Sequence, residues 1–273
     1  MIDLHLHTTA SDGRLSPEEL VLRAGSAGVA VMAVTDHDTT AGLARAEAAA
    51  TSSGIRFVPG IEITAVDQGR DVHVLGYFFD RSHKPLAEFL ESQRADRRRR
   101  ITEMCARLAS LGIGVDVDEI LARHAGHAVG RPAIAAALVR SGRVATIAEA
   151  FEKYLDTGGA AFVPRKGATV ADVARVIRDA GGVASIAHPG LHRDPSMLER
   201  IASGPDVIDA IEVFHTDHDT ATRDRLLAFA NAKNLLVTGG SDFHGDAAGR
   251  TVGLGRIGLP RAHFDRLTER FNS

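Results

Sequence analysis

Thiol chemistry is nearly absent from this sequence. Its one cysteine, Cys105, excludes an internal disulfide and any Cys-x-x-Cys metal or redox motif, and it fits a reducing compartment. Neither sign of charge is in excess: 32 Lys and Arg stand against 35 Asp and Glu, a formal net charge of −3 with histidine neutral. That balance excludes a global basic field, so any contact with an anion or nucleic acid has to be local. No apolar stretch approaches the ~20 residues of a membrane helix. The first residues, Met1-Ile2-Asp3-Leu4-His5, form neither a basic nor an apolar signal region, so a cytoplasmic location is expected. No internal repeat or low-complexity tract is visible. Tryptophan is missing and tyrosine occurs twice, whereas histidine occurs 13 times. That imbalance is the first pointer to function.

The 273 residues, 44% apolar and 25% charged, suit one large globular domain or two small ones. Short β-rich runs alternate with helical patterns at the start. Strands are predicted at 2–6, 29–35, 56–63 and 71–79, with a turn at 67–70, and helices at 17–27 and 42–53. From residue 80 the pattern turns helical, with helices at 85–111, 117–123, 132–141 and 147–155, then a short strand at 161–163. Alternation returns as helix 170–180, strand 183–187, helix 195–202, strand 210–214, helix 220–231, strand 235–238 and a helix from 260. A βα repeat interrupted in this way predicts an α/β barrel made of 1–79 and 166–273, carrying a helical insertion at 80–165.

The informative residues lie around the strand ends. The first strand ends in His5-Leu6-His7, and a spacing of two puts both imidazoles on one face. Ser11-Asp12-Gly13 follows, then Thr35-Asp36-His37-Asp38, Gly60-Ile61-Glu62, and His73 within Asp71-Val72-His73-Val74. Later strands run into His188-Pro189-Gly190 and Gly240-Ser241-Asp242-Phe243-His244. In an α/β barrel these positions converge on one mouth, where such folds place their chemistry. Any one of these histidines alone is ordinarily a hydrogen-bonded loop residue; a single bland account of the whole set is much harder to give. Imidazoles crowded on imidazoles, and carboxylates on carboxylates, would repel as ions and waste desolvated polar groups. Divalent metals resolve both costs, since imidazole suits Zn, Fe or Mn and a carboxylate can bridge two ions.

In order, these motifs resemble those of the PHP (polymerase and histidinol phosphatase) family over nearly the whole chain. The helical insertion resembles the bacterial branch of nucleotide phosphoesterases, including 3′,5′-nucleoside bisphosphate phosphatases that also trim 5′ ends of short RNA. The resemblance implies a distorted (β/α)7 barrel with three divalent ions, Mn, Fe or Zn. It implies that His5, His7, Glu62 and Asp242 hold one ion, and that Glu62 bridges to a second held by His73 and His188. Asp12, His37 and His244 would hold the third. No ligand is missing, which speaks against a degenerate, non-catalytic PHP domain serving a polymerase.

Three such ions would outweigh the charge of Asp12, Glu62 and Asp242 and leave the mouth positive, a field that favours a phosphate dianion. They would also lower the pKa of bound water, so no activated Ser or Cys is needed. His218 is a candidate to protonate the leaving oxygen, with His215 beside it; Asp36 and Asp38 are read as acceptors that orient His37. In the long helix, Arg97 falls near the apolar face and Arg100 on its flank, while Arg98 and Arg99 point elsewhere. Arg100 and Arg131 are the candidates for a second phosphate, because a planar fork grips phosphate bidentately and Gly130-Arg131-Pro132 marks a helix start. Arg165 and Lys166 are weaker candidates. Gly253-Leu254-Gly255-Arg256-Ile257-Gly258 fits a dinucleotide fingerprint, but no βαβ unit follows it. Cys105 lies on the apolar helix face and reads as core packing.

The expected enzyme is therefore a metal-dependent phosphoesterase acting on small nucleotides or short oligonucleotides. No long duplex and no membrane are expected as partners. A histidinol-phosphate phosphatase and an amidohydrolase of C–N bonds are the alternatives, the first disfavoured by the arginines because its substrate carries one phosphate and a cation.

Overall fold

Seven strands form one sheet in sequence order in this computed structural model, which describes residues 1–123, 129–192, 194, 196–204, 207–245 and 253–271. They are β1 (Ile2–Asp3), β2 (Val31–Val34), β3 (Arg56–Asp67), β4 (Arg70–Tyr77), β5 (Val183–Ile186), β6 (Ala210–His215) and β7 (Leu236–Gly240). Strands β2 and β5 are buried along their whole length, as strands covered on both faces must be, and their Val- and Ile-rich runs supply that surface. The Leu4 N–H donates to Gly239 O at 3.1 Å and Leu6 pairs with Phe243. The first and last strands thus meet, and the sheet is nearly closed into a distorted barrel.

One strand departs from the all-parallel arrangement that a βα repeat predicts. β3 and β4 are joined at Gln68-Gly69, both with positive φ (48° and 76°), which is the geometry of a two-residue hairpin. A parallel crossover needs a dozen or more residues, so β4 must run back, antiparallel to both β3 and β5. The reversal has a useful effect: His73, early in β4, is paired with Thr64 and sits at the mouth where the other strands end.

Helices α1 (Pro17–Ser26), α2 (Leu43–Ser52), α7 (Val170–Asp179), α8 (Met197–Ile201), α9 (Thr220–Ala232) and α10 (Arg261–Phe271) accompany the sheet. Sequence signals start two of them directly: Ser16 with Glu19, and Thr169 with Asp172, form reciprocal capping boxes. Between β4 and α7 run α3 (Lys84–Ser110), α4 (Val117–Arg123), α5 (Arg131–Arg140) and α6 (Ile147–Ala150), the last continuing as a π-helical turn over Phe151–Leu155. The strand expected at 161–163 does not form. Ala161 and Val163 are instead buried in a second apolar cluster, and the carbonyls of Phe162 and Val163 accept from Arg107 and Arg100 rather than from another strand.

Two apolar clusters result, and α3 belongs to both. Leu86 and Leu90 pack with the barrel core, whereas Ile101, Met104, Cys105 and Leu108 pack with α5 and the neighbouring segments. The helix is pinned to the barrel between these two stretches. Gln93 Nε2 donates to Thr64 O at 3.1 Å, Arg94 Nη1 to Asp38 O at 2.9 Å, and Arg97 Nη2 to Thr64 Oγ1 at 2.7 Å. The 253–258 glycine run, within the described residues, is turn and coil leading to α10 rather than a phosphate-binding βα corner. Among the described residues, no helix is long and apolar enough to cross a membrane.

Candidate active site

Backbone bonds between the strand exits build the mouth. Asp3 Oδ1 accepts the N–H of Ser241 at 2.9 Å and of His5 at 3.3 Å, joining the first exit to the last. Three residues there, Asp38, His188 and Asp242, have left-handed backbones with φ of 51°, 30° and 54°. Such strain in non-glycine residues persists only where surrounding bonds over-determine it. Here Asp38 N–H donates to Glu62 O at 2.9 Å, His188 N–H to Glu212 Oε2 at 2.7 Å and Asp242 N–H to His5 O at 2.9 Å.

Glu62 lies at the centre. Its Oε2 is 3.3 Å from His5 Nε2, 3.2 Å from His7 Nε2 and 3.2 Å from His37 Nδ1. Its Oε1 is 2.8 Å from His73 Nδ1 and 3.3 Å from His188 Nε2. Asp242 Oδ1 approaches His5 and His7 Nε2 at 3.3 and 3.2 Å, and Asp12 lies 3.3 Å from His244 Nε2. Three groups have their ligand atoms mutually within 4.8 Å: His5, His7, Glu62 and Asp242; His7, Asp12, His37 and His244; and His37, Glu62 and His73. Eight of the nine residues expected as ligands fall in these groups; His188 is in none of them, but its Nε2 approaches the same Glu62 oxygen as His73.

These donors fit metal ions better than they fit one another. Both ring nitrogens of His7, and Nδ1 of His37 and His73, are buried without a hydrogen bond although carboxylate oxygens lie close by. Leaving buried polar atoms unpaired is costly, and lone pairs converging outside hydrogen-bonding angles are what a shared cation satisfies. Burial opposes ionisation of Glu62 and Asp242, yet the surrounding imidazoles hold both well below the usual carboxylate range. The carboxylates in turn raise His5, His7 and His73, whereas burial lowers His37 to about 3.

Glu212 was not singled out from the sequence. It is fully buried on β6, accepting at Oε1 from His5 Nδ1 at 2.9 Å, so it fixes the ring that presents Nε2 to Glu62 and Asp242. A lone acid inside the apolar run Ile211-Glu212-Val213 was the available signal.

Several expected roles are corrected. Asp36 does not orient His37: its carboxylate accepts from Thr8 N–H (2.8 Å), Thr8 Oγ1 (2.6 Å) and Ser11 Oγ (2.7 Å), holding the loop that carries Asp12. Asp38 accepts from Thr64 N–H and is closed on Arg97 instead. His218 is not placed to protonate a leaving group. Its Nδ1 donates to Val213 O at 2.9 Å and its Nε2 accepts the Gly190 N–H at 3.1 Å, which uses both nitrogens on backbone. His215 differs: its Nδ1 accepts the Asp217 N–H, so the ring proton sits on Nε2, 3.6 Å from Asp242 Oδ2.

Beside Asp12, His37 and His73 opens a cavity of about 230 Å³ lined by Arg97, Arg100, Arg131 and Arg165. Arg100 is anchored by Nε on Val163 O at 2.8 Å, and Arg131 by Nη1 on Leu155 O at 3.3 Å. Phe151, Val129 and Ile101 form an apolar wall. Arg98 and Arg99 pair with acids of their own helix, and Lys166 is exposed away from the cavity lining. Cys105 is buried, and burial pushes its thiol up to about 11, which leaves it inert.

A PHP domain signature matches residues 3–110. A 5′-3′ exoribonuclease of Haemophilus influenzae is 38% identical over 248 residues, covering 89% of each chain. A 3′,5′-nucleoside bisphosphate phosphatase of Chromobacterium violaceum is 36% identical over 92% of this chain and 90% of its own. The solved structure of a protein from Bifidobacterium adolescentis, assigned as a metal-dependent phosphoesterase, superposes with a TM-score of 0.85 at 34% identity over 98% of this chain and 95% of that one. Similarity of this depth runs along about nine-tenths of the chain, around a mouth whose donors fit divalent cations, and the chain accordingly belongs to the PHP family and is a hydrolase of phosphate esters.

Proposed function

We propose that this enzyme removes phosphate from small nucleotides, with nucleoside 3′,5′-bisphosphates as the preferred class and 5′ ends of short oligonucleotides as a related one. The observation that carries this reading is the arginine cavity opening directly beside Asp12, His37 and His73. A substrate with two phosphates can place one at the mouth and the other among the arginines. A cationic substrate such as histidinol phosphate would set its amine against those guanidinium groups.

In this proposal the mouth carries three divalent ions, manganese, iron or zinc. His5, His7, Glu62 and Asp242 hold one; Glu62, His73 and His188 a second; Asp12, His37 and His244 a third. Bound there, the ions would acidify water and spread the charge of the phosphoryl group over the cluster. Glu212 keeps His5 in the tautomer that offers Nε2. His215 holds a proton on Nε2 for the leaving oxygen. Arg100 and Arg131 fix the non-reacting phosphate, and the apolar wall with Phe151 receives the nucleoside. Residues 80–165 then act as a substrate cap on the barrel formed by 1–79 and 166–273.

The test is a panel of nucleotides and simple esters assayed for free phosphate with manganese present. Bisphosphates should lead in kcat/KM. A preference for histidinol phosphate, or for an ester with no second phosphate, would overturn the substrate assignment.

A further inference from the structure

Asp71 sits among the arginines of the cavity, and they hold it only loosely: the hydrogen bond from Arg100 is long, and Arg131 and Arg165 stand no nearer. Its Oδ2 lies 3.5 Å from Arg100 Nη1 and 3.5 Å from Arg131 Nη2, and its Oδ1 lies 3.7 Å from Arg165 Nε. Charge-assisted N–H···O contacts settle at roughly 2.7–2.9 Å. Arg45 reaches that range on both oxygens of Glu18, at 2.7 and 2.8 Å, even on the exposed surface. The donors around Asp71 are therefore not used up. Arg165 is only 6% exposed, and its Nε has no hydrogen-bond partner.

A carboxylate presents two oxygens in one plane, whereas these guanidinium groups arrive from α3, from the start of α5 and from the segment before α7. A tetrahedral oxyanion presents oxygens in that many directions. Arg100 and Arg131 also keep their places without Asp71, because Arg100 is tied to Val163 O and Arg131 to Leu155 O.

We propose that Asp71 is a built-in counter-anion of this cavity, holding the position that the non-reacting phosphate takes and so setting how tightly that phosphate binds and how readily product leaves. This rests on the reading that the cavity accepts a second phosphate. An arriving phosphate must approach or displace the carboxylate, and the repulsion lowers affinity below what three arginines alone would give. The cost falls on bound substrate and bound product alike, so it keeps the cavity from trapping either. Asp71 is thus a residue that tunes affinity for the non-reacting phosphate without touching the reacting one.

Inorganic sulfate is the probe. Its binding to the full chain is read by thermal shift in the presence of a chelator, against sodium chloride at equal ionic strength, so that nothing turns over. Asp71→Asn should bind sulfate about tenfold more tightly than the parent, and adding Arg131→Ala should remove that gain. Should Asp71→Asn lose its cooperative melt, Asp71→Ser decides by the same criterion. Equal or weaker sulfate binding in the charge-free variant, or a gain that survives Arg131→Ala, overturns the proposal. Turnover of adenosine 3′,5′-bisphosphate by the parent enzyme is a separate measurement, and its failure would remove the substrate assignment while leaving the sulfate result to judge Asp71.

Discussion

Arg97 of the insertion helix closes on the carboxylate of Asp38, the residue that directly follows His37. Asp38 is completely buried and the Arg97 side chain is 11% exposed, and the same arginine donates to Thr64 Oγ1 at 2.7 Å. Asp38 in turn accepts the Thr64 N–H at 3.0 Å while its own backbone is left-handed. One ion pair therefore joins α3, a strained loop and β3 at the edge of the mouth.

Removing either partner should strand a buried charge, at a cost of roughly 3–5 kcal/mol. Arg97→Met and Asp38→Asn should each lower stability by that order in urea denaturation, and the double variant should recover much of the loss. Losses that simply add would show that the two side chains act independently.

Glu62→Gln should nearly abolish turnover with manganese present and lower the metal content of the purified protein. The barrel should stay folded by circular dichroism. The parent should carry two or three ions per chain by elemental analysis. Fewer than one ion, with activity indifferent to a chelator, would sink the metal reading; a near-normal rate in the Glu62→Gln variant would remove only the bridge.

His215 and His218 separate two readings of the leaving-group proton. His215→Asn should cut kcat by about 10²–10⁴, the usual contribution of general acid–base catalysis. The loss should shrink for an ester whose leaving group needs no proton, such as p-nitrophenyl phosphate. His218→Asn should show no such dependence on the leaving group, because its nitrogens serve Val213 and Gly190. The reverse pattern would return the role to His218.

Arg100→Ala and Arg131→Ala test the second phosphate. A charge-assisted contact is worth roughly 1.5–3 kcal/mol, or on the order of 10- to 100-fold in kcat/KM. The loss on adenosine 3′,5′-bisphosphate should exceed the loss on p-nitrophenyl phosphate by about that factor. Equal losses on both would mean that the arginines support folding or the mouth itself.

The mouth was legible because its chemistry is written in side chains at spacings that survive any error in strand boundaries. His5 and His7 are two residues apart, as are Asp242 and His244, and that spacing is readable wherever the strand is taken to end. The direction of β4 was not drawn from the sequence: the turn at 67–70 was visible, and the two-residue Gln68-Gly69 link that makes the pair antiparallel lies within it. Ala161-Phe162-Val163 looks like a strand because apolar residues suit either a sheet or a small helical core, and no local signal says which partner is present. Arg97 was seen near the apolar helix face, yet only the folded chain supplies Asp38 as the reason. Glu212 escaped because its meaning depends on His5, which is far away in sequence.

The long helix α3 acts as a ruler. Its first half is seated in the barrel and its second half in the insertion, so it cannot slide without disturbing both cores. Arg97 and Arg100 stand three residues apart on it, about 4.5 Å along the axis at 1.5 Å per residue. The guanidinium tied to Asp38 at the mouth and the buried one anchored on Val163 O are therefore spaced by helical geometry rather than by loop conformation. A relative that selects a longer or shorter substrate could do so by moving an arginine one turn along this helix, with every ligand at the mouth unchanged.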